Sequence, residues 1–357
     1  MIKVLVVDDS LLVRKALARA LSTDSDIEVV GTAVDPYDAR EKIKLLNPDV
    51  LTLDVSMPRM DGITFLKNLM RLRPMPVVMV SSYTADGAQE TLDALELGAF
   101  DYVTKPSGSR VDIDQYKAEV LQKVKAAARA NMSSLSRTRT QAEEGINSAV
   151  GGLSMRDPLE RAKVKSKMIA IGASTGGTEA LKDVMRLMPA ECPPIVISQH
   201  IPESFSAPFA KRLNESSAVT VKQAEDGDLI LPGHAYLAPG DDHLLIVREG
   251  ANMRCRLSKS PPVNRHRPSV DVMFDSVAQV IGKNAVGVLL TGMGNDGAKG
   301  LLNLKDVGAM TIAQDEKSSV VWGMPGEAVK LGAAQKIEPL TRIPDRIMEA
   351  VRKSCGV

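Results

Sequence analysis

Short apolar runs alternate with amphipathic stretches along most of the chain. The apolar runs of the first part are IKVLVV, EVVGTAV, DVLTLDV, PVVMVSS and DYVTK, and later ones are MIAIGAS, PIVISQH, AVGVLLTG and MTIAQ. After the first run, apolar residues from Leu12 to Leu21 recur at three- and four-residue spacing, which is typical of an amphipathic helix. This alternation predicts strand–helix–strand units, and therefore two α/β regions built on parallel sheets with right-handed crossovers.

A stretch of different composition separates the two α/β patterns. Residues 121–165 hold nine basic and four acidic residues, and residues 126–152 are rich in Ala, Ser, Arg, Thr and Gly. This composition is typical of a solvated tether, and a contact site for a partner or a phosphate is the alternative. The 357 residues are enough for two domains. We predict domains at 1–122 and 165–352, with a linker at 123–164.

Composition excludes several classes of protein. The chain has 45 basic and 44 acidic side chains, a net charge of +1 and 3% aromatic residues, which argues against nucleic-acid binding. Its three cysteines form no C-x-x-C pair, so we expect neither a disulfide framework nor a cysteine-rich zinc site. No apolar run reaches about 18 residues, and the first residues lack a signal-peptide pattern. We therefore expect no membrane insertion and a cytoplasmic location.

In parallel sheets the active loops follow the carboxyl ends of the strands, and polar residues of the first domain occur there. Asp8 and Asp9 follow VLVV, and Asp54 follows LTL. Ser81 and Lys105 end the runs VVMVS and DYVTK. Neighbouring carboxylates repel each other unless a cation neutralises them, and oxygen ligands suit Mg²⁺. The set predicts a Mg²⁺ site at which one carboxylate attacks a phosphoryl donor, whereas a single Asp is as readily a helix cap.

Four stretches of the first domain resemble the receiver domain of two-component response regulators, namely VLVVDDS, LDVSMPRMDG, VVMVSS and DYVTKPS. The resemblance covers about residues 1–120 and implies a flavodoxin-like fold with a five-stranded parallel sheet. It implies that Asp54 accepts the phosphoryl group. The implied Mg²⁺ ligands are Asp8, Asp9, Asp54 and the carbonyl oxygen of Ser56. The implied phosphoryl-sensing residues are Ser81, Lys105 and Tyr102, of which Tyr102 is the aromatic switch.

Three polar clusters of the second domain also follow apolar runs. Ser174 lies in a glycine-rich turn after MIAIGA, His200 follows PIVISQ, and Asp296 lies in TGMGNDG. A serine hydroxyl becomes a good nucleophile when a histidine accepts its proton, and a carboxylate then holds the histidine. The three residues together predict a nucleophile, a base and an orienting acid. The order Ser–His–Asp differs from that of α/β-hydrolases and disfavours that particular fold.

Each cluster taken alone has another interpretation. Glycine-rich turns such as GASTGG and TGMGNDG also cradle phosphates, so a nucleotide-binding enzyme is one alternative. A response regulator whose second domain only binds a partner is another. His266 lies in the basic stretch RHRPSVD, which is either a solvated loop or a surface that attracts an acidic substrate.

The second domain resembles the catalytic domain of the chemotaxis protein-glutamate methylesterase family over about residues 165–350. The resemblance rests on IAIGASTGGTEAL, ISQHIP, HAYLAPGDDHL, RHRPSVDVMF, LLTGMGNDGA and AQDEKSSVVWGMP. It implies a three-layer, mostly parallel, Rossmann-like α/β domain. It assigns Ser174 as nucleophile, His200 as base and Asp296 as orienting acid. The backbone around Met293 is implied in oxyanion binding, and Thr175 lies beside the nucleophile.

Together the two resemblances imply a serine esterase that is activated by phosphorylation. Its implied substrates are glutamate γ-methyl esters on methyl-accepting chemotaxis receptors, and glutamine deamidation on the same receptors is implied as well. The implied phosphodonor is a chemotaxis histidine kinase. The receiver is expected to need Mg²⁺, and the esterase is expected to need no cofactor.

Overall fold

The computed structural model describes residues 1–81, 84–105, 110–130 and 166–353. The chain forms two compact units, Met1–Ser136 and Arg137–Val357. The last helix of the first unit ends at Arg129, beyond the predicted domain boundary at residue 122. Residues 131–164 of the predicted linker lie outside the described residues. Within the described ranges, none of the helices is long and apolar enough to cross a bilayer.

The first unit is a five-stranded parallel sheet with five helices between and after its strands. The strands are β1 (Ile2–Val7), β2 (Ile27–Ala33), β3 (Val50–Asp54), β4 (Val77–Ser81) and β5 (Asp101–Thr104). The helices are α1 (Leu11–Leu21), α2 (Pro36–Leu46), α3 (Gly62–Leu72), α4 (Ala85–Glu96) and α5 (Arg110–Arg129). The strand order β2-β1-β3-β4-β5 is that of flavodoxin-like folds. The prediction for this domain is confirmed.

The sequence of the first unit explains why its elements begin and end where they do. Strands β3 and β4 are buried along their whole length, as near-continuous apolar runs in a parallel sheet should be. Helices α1, α2 and α3 begin after Ser10, Asp35 and Asp61, whose side chains accept hydrogen bonds from backbone N–H groups of the first turn. These helix starts place the β1–α1 and β3–α3 loops at one edge of the sheet.

The second unit contains a seven-stranded sheet in which every pairing is parallel, together with an antiparallel hairpin. The sheet order is β14-β13-β12-β6-β7-β9-β8. Its strands are β6 (Met168–Ala173), β7 (Ile195–Gln199), β8 (Thr220–Gln223), β9 (His234–Leu237), β12 (Ala285–Leu289), β13 (Met310–Gln314) and β14 (Lys336–Glu338). The hairpin consists of β10 (His243–Glu249) and β11 (Asn252–Ser258). The predicted α/β class with a mostly parallel sheet is confirmed.

Helices and two short 3₁₀ turns complete the second unit. The α-helices are α6 (Gly177–Leu187), α7 (Glu203–Ser216), α8 (Val270–Val280), α9 (Ala298–Asp306), α10 (Met324–Lys330) and α11 (Ile343–Lys353). The 3₁₀ turns are Gly282–Asn284 and Leu340–Arg342. Strands β6, β7 and β12 are central and fully buried, so the loops that follow them open at the middle of the sheet edge. Ser174, His200 and Asp296 lie in those three loops.

Candidate functional sites

Three carboxylates of the first unit converge at the carboxyl edge of its sheet. Asp8 and Asp9 follow β1, and Asp54 ends the neighbouring strand β3. One ligand oxygen from each lies within 4.8 Å of the others. Asp8 and Asp54 are buried, whereas Asp9 is exposed. The pocket thus combines two desolvated carboxylates with one that faces solvent.

Lys105 forms ion pairs with both buried carboxylates. Its Nζ lies 3.0 Å from Oδ2 of Asp54 and 3.2 Å from Oδ2 of Asp8. Burial and the charge of Asp8 raise the pKa of Asp54 to about 6, and Lys105 offsets part of that rise. One ammonium group therefore does not neutralise the pair fully, and a second cation would relieve the remaining repulsion.

The residues of this pocket fit a divalent cation. Asp8 Oδ2 is buried, and the Lys105 ammonium 3.2 Å away is shared with Asp54, so the two buried carboxylates have one positive charge between them. Carboxylate oxygens with room for water are the ligands that Mg²⁺ prefers. Asp8, Asp9 and Asp54 would hold the ion. The part predicted for the carbonyl of Ser56 remains a prediction.

Ser81 and Tyr102 lie where the sequence placed them, at or near the strand ends, and their present contacts are internal. Ser81 is buried and its hydroxyl donates to the carbonyl of Gly87 at 3.1 Å, while Thr91 Oγ1 donates to Ser81 Oγ at 2.7 Å. The ring of Tyr102 is buried, and the Lys123 ammonium lies 4.8 Å from its centre. In this structure Ser81 is thus bound to α4, and phosphoryl sensing by either residue remains a prediction.

Arg14 supports the acidic pocket and was not predicted. It is buried on α1, and its guanidinium donates to the carbonyls of Asp8 at 2.7 Å and Asp9 at 2.9 Å. Leu12, which the apolar periodicity placed on the buried face, is instead 79% exposed. An arginine in an amphipathic helical pattern usually indicates the exposed face, so no sequence pattern predicted this contact.

Ser174 stands on a tight turn between β6 and α6. Its N–H donates to the carbonyl of Thr291 at 3.0 Å, and its carbonyl accepts from Gly177 N–H at 2.7 Å. The amide of Gln199 donates to the same carbonyl at 2.9 Å. Gly176 has φ +75°, a backbone conformation that favours glycine. The backbone of the nucleophile is therefore held from three sides while its hydroxyl stays accessible.

The three residues predicted as nucleophile, base and acid form one hydrogen-bonded chain. Nδ1 of His200 lies 3.0 Å from Ser174 Oγ, and its Nε2 lies 2.8 Å from Asp296 Oδ2. In the tautomer with the proton on Nε2, the serine hydroxyl donates to Nδ1 and the ring donates to the carboxylate. His200 can then accept the serine proton while Asp296 stabilises the resulting imidazolium.

The carboxylate of Asp296 is buried at the start of helix α8. Oδ2 accepts from the N–H of Val270 at 2.7 Å, and Oδ1 accepts from Ser269 Oγ at 2.8 Å and from Asn264 Nδ2 at 2.8 Å. Burial alone would raise the pKa of Asp296, but hydrogen bonds from His200, Asn264 and Val270 outweigh it and lower the pKa well below the usual range. The Asp296 carboxylate is therefore ionised at neutral pH and can accept a hydrogen bond from His200.

The loop after β12 supplies a backbone N–H beside the nucleophile. A Cβ placed on Gly292 would lie 2.9 Å from Ser174 Cβ, so this loop touches the nucleophile directly. The N–H of the next residue, Met293, donates to no other residue among those the structure describes. The Ser174 N–H is already used by Thr291. Oxyanion binding by the Met293 backbone remains a prediction, and Thr175, the residue after Ser174, is buried.

Two further histidines of the second unit have structural contacts. The ring of His243 is buried, with Nε2 3.2 Å from the carbonyl of Pro261 and Nδ1 accepting from Ser269 N–H at 3.1 Å. His234 Nδ1 lies 3.0 Å from the carbonyl of Pro232. Sequence reasoning missed the contacts of Gln199 and Asn264, because neither residue type stands out in a motif.

Together these features define a class of protein. One α/β unit has the strand order and the Asp–Asp–Asp–Lys pocket of a receiver domain, and the other has a Ser–His–Asp chain at its sheet edge. The chain therefore has the build of a response regulator that carries a domain of serine-hydrolase type.

Comparisons with known proteins give the family. Residues 4–115 match the response regulator receiver domain and residues 169–347 match CheB methylesterase. A protein-glutamate methylesterase/protein-glutamine glutaminase of Hydrogenovibrio crunogenus is 54% identical over 376 residues, covering 99% of each chain. One from Xanthomonas euvesicatoria pv. vesicatoria is 56% identical over 353 residues, covering 97% of this chain and 96% of its own. This chain belongs to the CheB methylesterase family.

A solved structure resembles the second unit. The crystal structure of the Thermotoga maritima CheB methylesterase catalytic domain matches with a TM-score of 0.51 and 40% identity. The match covers 51% of this chain and 97% of that domain. The parallel sheet and its loops therefore follow a fold already known for a CheB catalytic domain.

Proposed function

We propose that this chain is a phosphorylation-activated serine esterase that hydrolyses glutamate γ-methyl esters on methyl-accepting chemotaxis receptors. The observation that carries the esterase assignment is the continuous hydrogen-bonded chain from Ser174 Oγ through His200 to Asp296. Family membership supports the choice of substrate, because curated relatives of nearly the same length carry the name protein-glutamate methylesterase.

The proposed first half of the reaction forms an acyl-enzyme. Ser174 Oγ attacks the ester carbonyl carbon while its proton passes to His200 Nδ1, 3.0 Å away. The tetrahedral oxyanion accepts a hydrogen bond from the N–H of Met293. The C–O bond to the methoxy group of the tetrahedral intermediate then breaks, and the His200 proton passes to the methoxy oxygen. Methanol leaves, and a glutamyl ester of Ser174 remains.

The second half regenerates the enzyme. A water molecule gives a proton to His200 Nδ1 and attacks the acyl carbon. The C–O bond to Ser174 then breaks as the His200 proton passes to Ser174 Oγ. The products are a free glutamate side chain and the original serine hydroxyl. A glutamine side chain would follow the same route with ammonia as the leaving group. We therefore include glutamine deamidation, an activity that the names of the relatives also contain.

We assign Asp54 as the phospho-acceptor of the regulatory unit. Asp54 is buried beside Lys105, and both it and Asp8 are placed to hold Mg²⁺ together with Asp9. Mg²⁺ would supply charge neutralisation for phosphoryl transfer. A chemotaxis histidine kinase is the proposed phosphodonor. Ser81, Lys105 and Tyr102 remain proposed sensors. A cytoplasmic location is proposed because the methylated helices of the receptors lie there.

The experiment that tests the esterase assignment measures methanol release from a methylated receptor signalling fragment. The wild-type chain with Mg²⁺ and a small-molecule phosphodonor should release methanol, and Ser174→Ala and His200→Ala should not. Thr220→Ser, a conservative change at an exposed position of the edge strand β8, is the matched control. Unchanged release by Ser174→Ala would show that another group performs the chemistry.

A further inference from the structure

A tight turn between the β10–β11 hairpin and helix α8 reaches the Ser–His–Asp chain. Val263 and His266 exchange two backbone hydrogen bonds, at 3.1 Å and 2.9 Å, around the two central residues Asn264 and Arg265. Both central residues have positive φ, +52° and +69°. Glycine usually fills at least one such position, so this backbone is unusual for two larger residues. Such strain is often kept for function.

The turn places an imidazole ring flat against the proposed base. The ring centres of His266 and His200 are 3.6 Å apart and their planes differ by 11°. At this separation the two rings are in van der Waals contact over a whole face. His200 is therefore held at its two nitrogens by Ser174 and Asp296 and on one face by His266.

The same turn donates hydrogen bonds to the proposed acid. Asn264 Nδ2 lies 2.8 Å from Asp296 Oδ1 and 2.7 Å from Asp271 Oδ2. Asp271 is in turn fixed by the N–H of Gly300, which donates to its Oδ1 at 2.6 Å. The amide thus bridges two acidic side chains, one of which contacts the base. An aspartate at position 264 could not donate in this way.

We propose that the 263–266 turn is a positioning element for the catalytic chain. His266 holds the plane of the His200 ring so that Nδ1 faces the serine, and Asn264 holds the Asp296 carboxylate that orients Nε2. His266 acts through the His200 ring and Asn264 acts through the Asp296 carboxylate, so both are positioning residues. This inference rests on the proposed function for its choice of substrate, but nucleophile activation can be measured without that substrate.

The test uses the full chain with Mg²⁺ and a phosphodonor, and two readouts. The first is the rate at which a fluorophosphonate labels Ser174, a reaction that forms the Oγ–P bond, releases fluoride and passes the serine proton to His200. The second is kcat and KM for methanol release from the methylated receptor fragment. The variants are His266→Ala, His266→Phe and Asn264→Gly, with Val307→Ala, a change at an exposed valine outside the turn, as the control.

His266→Ala should lower both the labelling rate and kcat by about tenfold, because small misplacements of catalytic groups cost up to about 100-fold, while KM stays within about twofold. His266→Phe keeps a flat ring and should restore most of the rate. Asn264→Gly keeps the positive φ but lacks the amide, and it should also lower kcat. Val307→Ala should match wild type.

Several results would overturn the inference. Wild-type labelling rates in both His266→Ala and Asn264→Gly would do so. A rise in KM with unchanged kcat would also do so, because it would indicate that the 263–266 turn attracts the substrate instead. Failure of His266→Phe to restore the rate would also contradict the ring-packing argument. A wild-type chain that reacts with the fluorophosphonate but releases no methanol contradicts only the proposed substrate.

Discussion

The carboxylate of Asp296 accepts hydrogen bonds from four residues besides His200. They are Asn264, Ser269, Val270 and Asp271, and two of these bonds come from backbone N–H groups in the first turn of α8. A negative charge at a helix N-terminus is stabilised by the helix dipole and by the otherwise unpaired N–H groups. Asp296 therefore stabilises the fold as well as contacting His200 Nε2.

Asp296→Asn should lower both activity and stability. The amide places N–H groups against existing donors, so we expect a loss of about 2 kcal/mol in unfolding free energy and of about 10³-fold or more in kcat. Because the pKa of Asp296 is lowered by folding, its stabilisation is complete above the unfolded pKa of about 3.9 and is lost as the pH falls further. Urea unfolding from pH 3 to pH 8 tests this.

Ser174→Ala is the matched control for that experiment. Its hydroxyl bonds only to His200 among the residues that the structure describes, so stability should change by less than about 0.5 kcal/mol although activity is lost. A stability gap between Asp296→Asn and wild type that persists undiminished at pH 3 would contradict the assigned role of the carboxylate charge.

The pKa of Asp54 is shifted in the opposite direction to that of Asp296. Its pKa is raised to about 6 because burial and the Asp8 carboxylate outweigh the attraction of Lys105. Asp54→Asn removes one of two repelling charges and should stabilise the first unit by about 1 kcal/mol when metal is chelated, a figure discounted for solvent screening. Calorimetry of the full chain with EDTA and with Mg²⁺ measures this.

In the presence of Mg²⁺, wild type should be more stable than Asp54→Asn. Wild type keeps all three carboxylates and gains stability from bound Mg²⁺, whereas Asp54→Asn has lost one of the proposed ligands. Asp49→Asn, a change at an exposed carboxylate outside the pocket, controls for general charge effects. If Asp54→Asn were less stable than wild type in EDTA, the Lys105–Asp54 ion pair would stabilise the fold by more than the Asp8–Asp54 repulsion and the burial of Asp54 destabilise it.

At the scale of the elements, the glycines of the nucleophile turn serve internal packing. A Cβ on Gly177 would lie 2.2 Å from Gln199 Oε1 and 2.7 Å from Ala173 Cβ, and one on Gly176 would lie 2.7 Å from Val320 Cβ. These glycines let strand, helix and neighbouring loops approach each other. A phosphate-cradling turn would instead leave the space above its glycines to a ligand, so the packing disfavours the nucleotide-binding alternative.

Gly177→Ala should therefore reduce activity strongly although it adds only one methyl group. The new methyl group displaces Gln199, whose amide holds the carbonyl of Ser174, and overpacking of this kind costs about 1–3 kcal/mol. We expect kcat to fall by about tenfold or more as Ser174 shifts. Thermal unfolding and fluorophosphonate labelling measure the two effects.

Gly332→Ala provides the control for Gly177→Ala. Gly332 has φ +67° with no atom within 4 Å of an added Cβ, so its substitution costs about 1 kcal/mol of strain without reaching the site. Equal activity losses in the two variants would indicate general destabilisation and not displacement of the nucleophile.

The elements also show what could be predicted from sequence. Every apolar run named in the first part of the chain forms a strand, because buried parallel strands are almost continuously apolar. The short strands β8 and β14 were missed because they are only four and three residues long and partly exposed. The hairpin β10–β11 was missed because its arginines interrupt the apolar pattern.

For the site, the predictable part was the set of residues that follow central strands. Ser174, His200 and Asp296 follow β6, β7 and β12, which are neighbours in the sheet, so strand-end reasoning brought them together. Asn264 and His266 reach the Ser–His–Asp chain from a turn outside the sheet, and no hydrophobic periodicity predicts the position of that turn. The stacking of His266 on His200 is visible only in the folded structure.

At the scale of the whole molecule, one chain combines a pocket fitted for phosphoryl transfer with a site fitted for ester hydrolysis. Each unit has its own sheet and its own polar cluster at the carboxyl edge. A receiver has no output chemistry of its own, so its presence beside an esterase predicts control of one by the other. Phosphorylation can raise activity only by favouring a more active state of the chain.

We expect a phosphodonor with Mg²⁺ to raise methanol release by the wild-type chain by about 5- to 150-fold, the usual range of coupling between two sites. Asp54→Asn should show the basal rate with or without the donor, and Ser174→Ala should show none. A segment spanning 166–353 should be insensitive to the donor. Because that segment keeps the whole Ser–His–Asp chain, stimulation of it by the donor would place the control outside Asp54, whereas an insensitive wild-type chain would leave the receiver without a regulatory function in this enzyme.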